Sequence, residues 1–229
     1  MRVLGFCGSP RKGGNTELLL REALESAASA GADTGLFTVF DKEMKPCDGC
    51  GACLRDRDCH IQDDMQSLYT RLQAADGIIV ASPVYFWSVT AQVKIIIDRL
   101  YGYYRSGKLS NKVGGVIVVG GTQGHTEVRN LLYAFFAQNH MIIADWVSGF
   151  ASRKRDIMRD RHALAAAKLL GQKVVSLIQL QLRYPEGMTI PVSTIVRDQM
   201  KIPSSPAEGR FLAVPQESDS AALSKGAPA

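Results

Sequence analysis

Short apolar runs alternate with longer amphipathic segments from the first residues onward. Arg2–Cys7 reads as a buried strand, followed by a glycine-rich turn and a helix over Asn15–Ala30. Gly35–Phe40 is the second expected strand, with a short helix over Asp64–Ala74. Gly77–Ser82 (GIIVAS) is the third strand and Val89–Tyr101 the next helix. Lys112–Val119 and Met141–Val147 complete the strands, Glu127–Gln138 lies between them as a helix, and Asp156–Leu182 closes the pattern as a long helix.

Brief apolar runs separated by helical patterns imply βαβ units around a parallel sheet. Right-handed crossovers place helices on both faces, and the expected order is 2-1-3-4-5 in a doubly wound α/β sheet. The pattern covers residues 1–183, with a cysteine-rich loop at 44–62. From Tyr184 onward, Pro185, Pro191, Pro203, Pro206 and Pro215 interrupt the chain. Residues 184–229 read as an arm or tail, disordered over Ser218–Ala229, with Thr189–Val196 and Phe211–Val214 as segments able to pack on a neighbouring subunit.

Composition narrows the classes. Among 229 residues, 46% are hydrophobic and 21% charged, as in ordinary globular proteins. No apolar run approaches the ~20 residues that cross a bilayer. Val3–Cys7 is too short for a signal-peptide core. The expectation is a cytoplasmic protein with no membrane partner. The formal charge of +5 is scattered along the chain and no nucleic-acid motif accompanies it, so an anionic cofactor or an acidic redox partner accounts for it more simply.

In a doubly wound sheet, ligands bind outside the carboxyl ends of the strands. The loop after strand one is Gly8-Ser9-Pro10-Arg11-Lys12-Gly13-Gly14-Asn15-Thr16. Its glycines let amides face a ligand, and the following helix start is an anion site. It lacks the Lys and Ser/Thr of a P-loop and the G-x-G-x-x-G spacing of dinucleotide sites, which leaves a terminal monophosphate. After strand three, Ser82-Pro83-Val84-Tyr85-Phe86-Trp87-Ser88 places three consecutive aromatics where a flat conjugated ring could rest. Any one of these aromatics reads equally well as a core or interface residue. Gly120-Gly121-Thr122-Gln123-Gly124-His125 follows strand four and lets backbone approach the same ligand. A phosphate cradle with two walls for a ring describes FMN.

Four of the five cysteines crowd into Cys47-x2-Cys50-x2-Cys53-x5-Cys59. In a reducing compartment such a cluster is metal-binding or redox-active. The first three share the C-x2-C-x2-C core of bacterial ferredoxins, and Gly49, Gly51 and Ala52 leave room for backbone to wrap a cuboidal cluster. Zinc sites usually set two short pairs apart by a longer spacer, which is absent here. Free thiols or a disulfide pair remain open as alternatives. Cys7 ends strand one as a core residue. His60 reads as an exposed loop histidine, while Asp63 and Asp64 begin the next helix at its positive end.

GSPRKGGNTE, SPVYFWSVTAQVKIIIDR and the intervening cysteine stretch resemble the NADPH-dependent FMN reductase family, and within it the iron–sulfur flavoproteins. The resemblance covers residues 1–180 and implies a flavodoxin-like fold. It further implies that Ser9, Arg11, Asn15, Thr16 and Glu17 surround the phosphate. Pro83, Val84, Tyr85, Phe86 and Trp87 would border the isoalloxazine, and Gly121 with Thr122 would approach from the other side. Cys47, Cys50, Cys53 and Cys59 would hold a [4Fe–4S] cluster.

The implied activity is FMN-dependent oxidoreduction between a one-electron carrier such as ferredoxin and a two-electron acceptor: oxygen, peroxide or a quinone. The alternatives are a cluster-free NAD(P)H-dependent FMN or quinone reductase and a non-enzymatic flavodoxin-type carrier. The resemblance also implies a homodimer or homotetramer, and exposed aromatics in Tyr85–Trp87 and Tyr101–Tyr104 would suit its contacts. Flavin and cluster carry the electrons, so no side chain is assigned as a catalytic acid, base or nucleophile.

Overall fold

A computed structural model of the chain describes residues 1–55, 59–185 and 187–191. Five parallel strands, β1 (Arg2–Cys7), β2 (Asp33–Thr38), β3 (Gly77–Pro83), β4 (Val113–Gly120) and β5 (Ile142–Phe150), form one sheet in the order β2-β1-β3-β4-β5. This is the expected flavodoxin-like arrangement. The inner strands are almost wholly apolar because both faces are covered, Arg2 and Ser82 being the polar exceptions. Val3 and Cys7 of β1 pack with α1 (Asn15–Ser29) and α6 (Arg161–Gln179) on one face. Leu4 and Phe6 pack with α2 (Met65–Ala74), α3 (Ala91–Arg99), α4 (Tyr101–Ser106) and α5 (His125–Gln138) on the other. The candidate tail segment Phe211–Val214, and most of Thr189–Val196, lie outside the described residues.

Several element boundaries differ from the sequence expectation, among them the end of β5 at Phe150 and the start of α5 at His125, and three differences have a clear local reason. β2 begins and ends two residues earlier because pairing with β1 runs from Arg2↔Asp33 to Cys7↔Thr38. Val39 then makes one further bond to the Cys7 carbonyl and leaves the ladder. The helix expected through Tyr101 breaks at Leu100, where the Tyr69 hydroxyl donates to the Arg99 carbonyl at 2.9 Å. The long closing helix is divided into a 3-10 turn at Asp156–Arg159 and α6. Asp160 makes that division: its carboxylate accepts from Ala163 N at the start of α6 and from Phe150 N at the end of β5.

Helices α1 and α6 touch through small residues. A Cβ on Gly171 would lie 2.1 Å from the Ala23 carbonyl oxygen and 3.0 Å from Ala27 N. Both obstacles are backbone and cannot rotate aside. Gly171→Ala is therefore expected to cost ~2–3 kcal/mol, the upper range of overpacking, read as a lower urea midpoint at unchanged slope. A midpoint equal to that of the parent would show that the two helices separate freely.

Candidate functional site

The carboxyl ends of the strands form a rim that carries three of the expected loops. In the first, Ser9, Thr16 and Glu17 are buried, whereas Arg11 and Lys12 are exposed. Gly14 occupies the N-cap of α1, and no side chain caps the helix. The first amides of a helix have no intrahelical partner, so this terminus is a donor array for an anion. The Ser9 hydroxyl accepts from Arg11 N at 3.2 Å and shapes the turn. Glu17 accepts from Gly13 N at 2.8 Å and pairs with Arg21 at 2.6 Å. Its carboxylate thus braces the loop from below. The Asn15 amide donates to the Arg153 carbonyl at 2.8 Å, and its oxygen accepts from Ile157 N at 3.4 Å, tying this loop to the one after β5.

Beyond Pro83, Val84 N donates to the Val119 carbonyl, and Tyr85 and Ser88 exchange backbone bonds at 2.8 and 3.0 Å. The two residues reversing the chain between them are Phe86 (φ 44°) and Trp87 (φ 60°). Such reversals normally take Asn or Gly, because side chains disfavour positive φ. Two large aromatics held this way store strain, a feature that clusters at ligand clamps. Phe86 is 93% exposed and Trp87 52%. Their rings meet edge to face at 5.5 Å.

The third loop closes on the second. A Cβ on Gly124 would sit 2.5 Å from Val84 Cγ1 and 3.2 Å from Trp87 Cα, and Gly124 itself has φ 86°. Gly121 and Thr122 are exposed at the loop's crest. His125 faces away from any ligand role: its ring lies 4.4 Å from that of Phe150, and Nε2 bonds the Gly149 carbonyl.

A fourth loop, after β5, was missed by sequence reasoning. Arg153, Lys154 and Arg155 are all exposed there, beside the Asn15 contact. Three adjacent cations after the fifth apolar run were the available signal.

The cysteine loop leaves β2 at the rim and folds over α3 and α4. Cys47, Cys50, Cys53 and Cys59 line one cavity of about 260 Å³, whose far wall includes Tyr69, Arg99, Gly102 and Tyr103. Gly49 (φ 71°) and Gly51 (φ 69°) supply the left-handed turns that let the backbone reverse between successive cysteines. Burial raises the Cys53 thiol above its usual range, and the charges of Cys47, Cys50 and Cys59 add to the effect.

No three of the four sulfurs come within 4.8 Å of one another among the described residues. Tetrahedral zinc, with bonds of ~2.3 Å, would draw them to within ~4 Å. A mixed group of Asp48, Cys50 and His60 does fall within 4.8 Å, all three exposed, with Asp48 and His60 hydrogen-bonded at 2.7 Å. Cys7, 1% exposed, lies apart in the core, where burial pushes its thiol up to about 11. Of the tyrosines expected at an interface, Tyr101 is exposed but Tyr103 is buried with its hydroxyl on the Tyr69 carbonyl.

Asp63 and Asp64 do more than begin α2. Asp64 accepts from Glu43 N, and Asp63 accepts from Lys45 N and Met65 N. Asp63 also pairs at 2.5 Å with Arg99, whose side chain is fully buried. Arg99 donates in addition to the carbonyls of Lys45 and Ile61. Both feet of the cysteine loop are thus clamped to the last turn of α3. At the other end of α3, the Thr90 hydroxyl donates to the Gly8 carbonyl at 2.8 Å. One helix, with a rise of about 13 Å between those residues, connects the flavin-like rim to the cysteine cavity. Spacing could have exposed Arg99, because Val93, Ile96 and Arg99 recur on the buried face of α3.

Residues 1–156 match the family model described as NADPH-dependent FMN reductase. The chain belongs to the NADPH-dependent FMN reductase family. It is an FMN-dependent oxidoreductase of that family. It is 36% identical over 190 residues to an iron-sulfur flavoprotein of Methanocaldococcus jannaschii, covering 79% of this chain and 98% of that one. It is 46% identical over 125 residues to an iron-sulfur flavoprotein of Methanosarcina thermophila, covering 54% of this chain and 65% of that one.

Among solved structures, the Trp repressor binding protein of Bacillus subtilis superposes with a TM-score of 0.58 at 26% identity, over 74% of this chain and 99% of that chain. RosB with a bound formylriboflavin phosphate reaches 0.67 at 17% identity, over 95% of this chain and 93% of that one, which shows the shared fold. No helix among the described residues is long and apolar enough to cross a membrane.

Proposed function

We propose that this member of the FMN reductase family is an iron–sulfur flavoprotein, passing electrons between a one-electron carrier and a two-electron acceptor through FMN and a [4Fe–4S] cluster. The observation that carries this reading is the convergence of Cys47, Cys50, Cys53 and Cys59 on one cavity. The names of the Methanocaldococcus and Methanosarcina relatives support it. FMN takes electrons singly or in pairs, whereas the cluster takes one at a time, so the two together interconvert the two kinds of transfer.

The residues of the chain bind and orient. Thr16 and the open amides of α1 face the phosphate, with Arg11 beside it. Glu17 and Asn15 keep their loop in shape. Pro83, Val84 and the Tyr85–Trp87 turn flank the ring, opposite Gly121 and Thr122. The four cysteines hold the cluster within the clamp made by Asp63 and Arg99.

Protein purified without oxygen should contain FMN, identified by chromatography after denaturation, with about four irons and four acid-labile sulfides per chain. FMN without iron, after anaerobic reconstitution and with steady NAD(P)H oxidation, would instead favour a cluster-free reductase. Arg11→Ala with Thr16→Ala should weaken FMN by ~2–4 kcal/mol, from one charge-assisted contact and one at the helix end. Unchanged FMN affinity in flavin titrations would remove this loop from the site.

The strained turn gives a test with opposite signs. Phe86→Asn with Trp87→Gly should raise unfolding stability by about 2 kcal/mol, because both residues tolerate positive φ. The same change should weaken FMN by removing the rings. Loss of stability together with unchanged flavin affinity would show that the aromatics serve the fold.

A further inference from the structure

We infer that Asp48, Cys50 and His60 form a site for a single zinc ion, taken up by the cysteine loop when no cluster occupies it. The site itself stands on the geometry of these three residues. Its consequence, that zinc and cluster exclude each other, rests on the reading of the four cysteines as cluster ligands.

The placement of the three side chains carries the argument. The Asp48 carboxylate, the Cys50 thiol and the His60 imidazole bring their ligand atoms within 4.8 Å of one another. Asp48 Oδ2 and His60 Nε2 already stand 2.7 Å apart. The other carboxylate oxygen accepts from Cys50 N at 3.1 Å, which holds the carboxylate beside the cysteine. Between those two residues Gly49, at φ 71°, lets the backbone reverse. A tetrahedral zinc with bonds of about 2.0–2.3 Å sets its ligand atoms roughly 3.3–3.6 Å apart. All three side chains are exposed, so they adjust to that spacing without repacking the core. No three of the cysteine sulfurs approach as closely among the described residues, so this mixed group is nearer to holding one ion than any set of thiolates.

The donor set selects the ion. A carboxylate oxygen, an imidazole nitrogen and a thiolate sulfur are ligands that zinc accepts together, whereas calcium and magnesium take oxygen. On binding, the Cys50 thiol releases its proton to solvent and water fills the fourth position.

The loop is held for this purpose at its base. Asp48 and Cys50 lie on its entering limb and His60 on its leaving limb. Arg99 bonds the carbonyls of Lys45 and Ile61, one at each foot, so the limbs stay together before an ion arrives. Cys50 also lines the cavity shared by the four cysteines, and its sulfur serves one centre at a time. Zinc bound here withdraws a thiolate from the cluster, and it must leave before the cluster is completed.

The test uses the full chain with FMN bound, stripped of metal without oxygen and titrated with cobalt(II) as a coloured stand-in for zinc. One equivalent should bind with a thiolate-to-cobalt absorption band, and zinc should displace it. His60→Ala and Asp48→Ala should each weaken cobalt binding by more than about 100-fold, because a lost ligand should exceed the ~10–100-fold cost of a lost outer-shell partner. Cys53→Ser should keep the parent's affinity. X-ray absorption of the zinc-loaded parent, which needs no variant, should show one sulfur neighbour and otherwise nitrogen or oxygen. Zinc-loaded parent should assemble its cluster from iron and sulfide more slowly than zinc-free parent, and His60→Ala should lose that difference.

A parent that takes up no cobalt, or whose zinc has three or four sulfur neighbours, overturns the inference whether or not the variants fold. Unchanged cobalt affinity in His60→Ala, or its loss in Cys53→Ser, also overturns it. Equal assembly rates with and without bound zinc would overturn the mutual exclusion. A zinc-free parent that assembles no cluster defeats the cluster reading, and one-sulfur zinc binding in that same protein upholds the site.

Discussion

On the iron–sulfur reading proposed above, replacing Cys53 by Ser is expected to leave FMN bound while abolishing the cluster and, with it, reduction by a one-electron carrier. Cys53 stands at the point of the loop where the cysteine cavity meets a broader groove along α3 and α5. It is pressed against Gly102 of α4, so closely that a Cβ there would sit 3.0 Å from Cys53 Cβ. Serine fits this space but offers a poorer ligand for iron. The flavin loops lie at the other end of α3 and keep their contacts.

Flavin reduction by reduced ferredoxin should fall by more than the ~10–100-fold that follows loss of an outer-shell partner of a metal ligand. Chemical reductants should still act. Anaerobic rapid mixing, followed at flavin and cluster wavelengths, measures both rates. In the parent, the cluster should be reduced before the flavin or together with it. A variant that accepts electrons from ferredoxin as quickly as the parent would place the cluster off the path.

Asp63→Ala should cost about 3–5 kcal/mol, the range found when one partner of a buried ion pair is removed. Arg99 would remain charged and buried with two carbonyls for partners. The loop feet at Lys45 and Met65 would each lose an acceptor as well. Pairing the change with Arg99→Met should recover part of the loss, because no stranded charge remains.

The pH dependence has a definite sign. Burial by itself raises the Asp63 carboxyl, but bonds from Arg99, Lys45 N and Met65 N outweigh it and hold the group below the usual carboxylate range. A carboxyl depressed on folding contributes stability that is present above its unfolded value, about 3.9, and lost as pH falls through the lower folded value. The parent should therefore weaken below about pH 4, and Asp63→Ala should lack that part of the acid limb. Urea unfolding across this range is the measurement. Equal acid profiles for the two proteins would show that the pair contributes nothing.

Much of this was legible in the residues. Unbroken apolar runs such as Gly77–Ser82 identify strands covered on both faces, and the rules for crossovers then leave few sheet orders. The position of the glycine-rich loop was legible too, because it joins a strand end to a helix start whose first amides carry no side-chain cap. The cysteine spacing narrows the chemistry to a metal centre, a disulfide pair or free thiols, and only the fold shows that all four line one cavity. Less legible were residues whose partners are distant. Asn15 is read as a phosphate residue from its place in the loop, but that its side-chain amide also bridges to Arg153 and Ile157, more than a hundred positions away, is visible only in the fold. Tyr103 reads as a surface aromatic, yet it is buried against Tyr69.

The sequence by itself determined the periodicity of the elements, the doubly wound class and the residue types able to hold a phosphate, a flat ring and a metal centre. Each depends on neighbours within a few positions, where backbone geometry and side-chain chemistry are local properties. Only the tertiary structure decided that the four thiols face a cavity walled by α3 and α4, that Arg99 and Asp63 lock the loop's feet, and that two aromatics are forced to positive φ between Tyr85 and Ser88. These outcomes depend on which segments the fold brings together. A buried charge or a strained turn persists because distant contacts over-determine it, and local sequence does not contain those contacts.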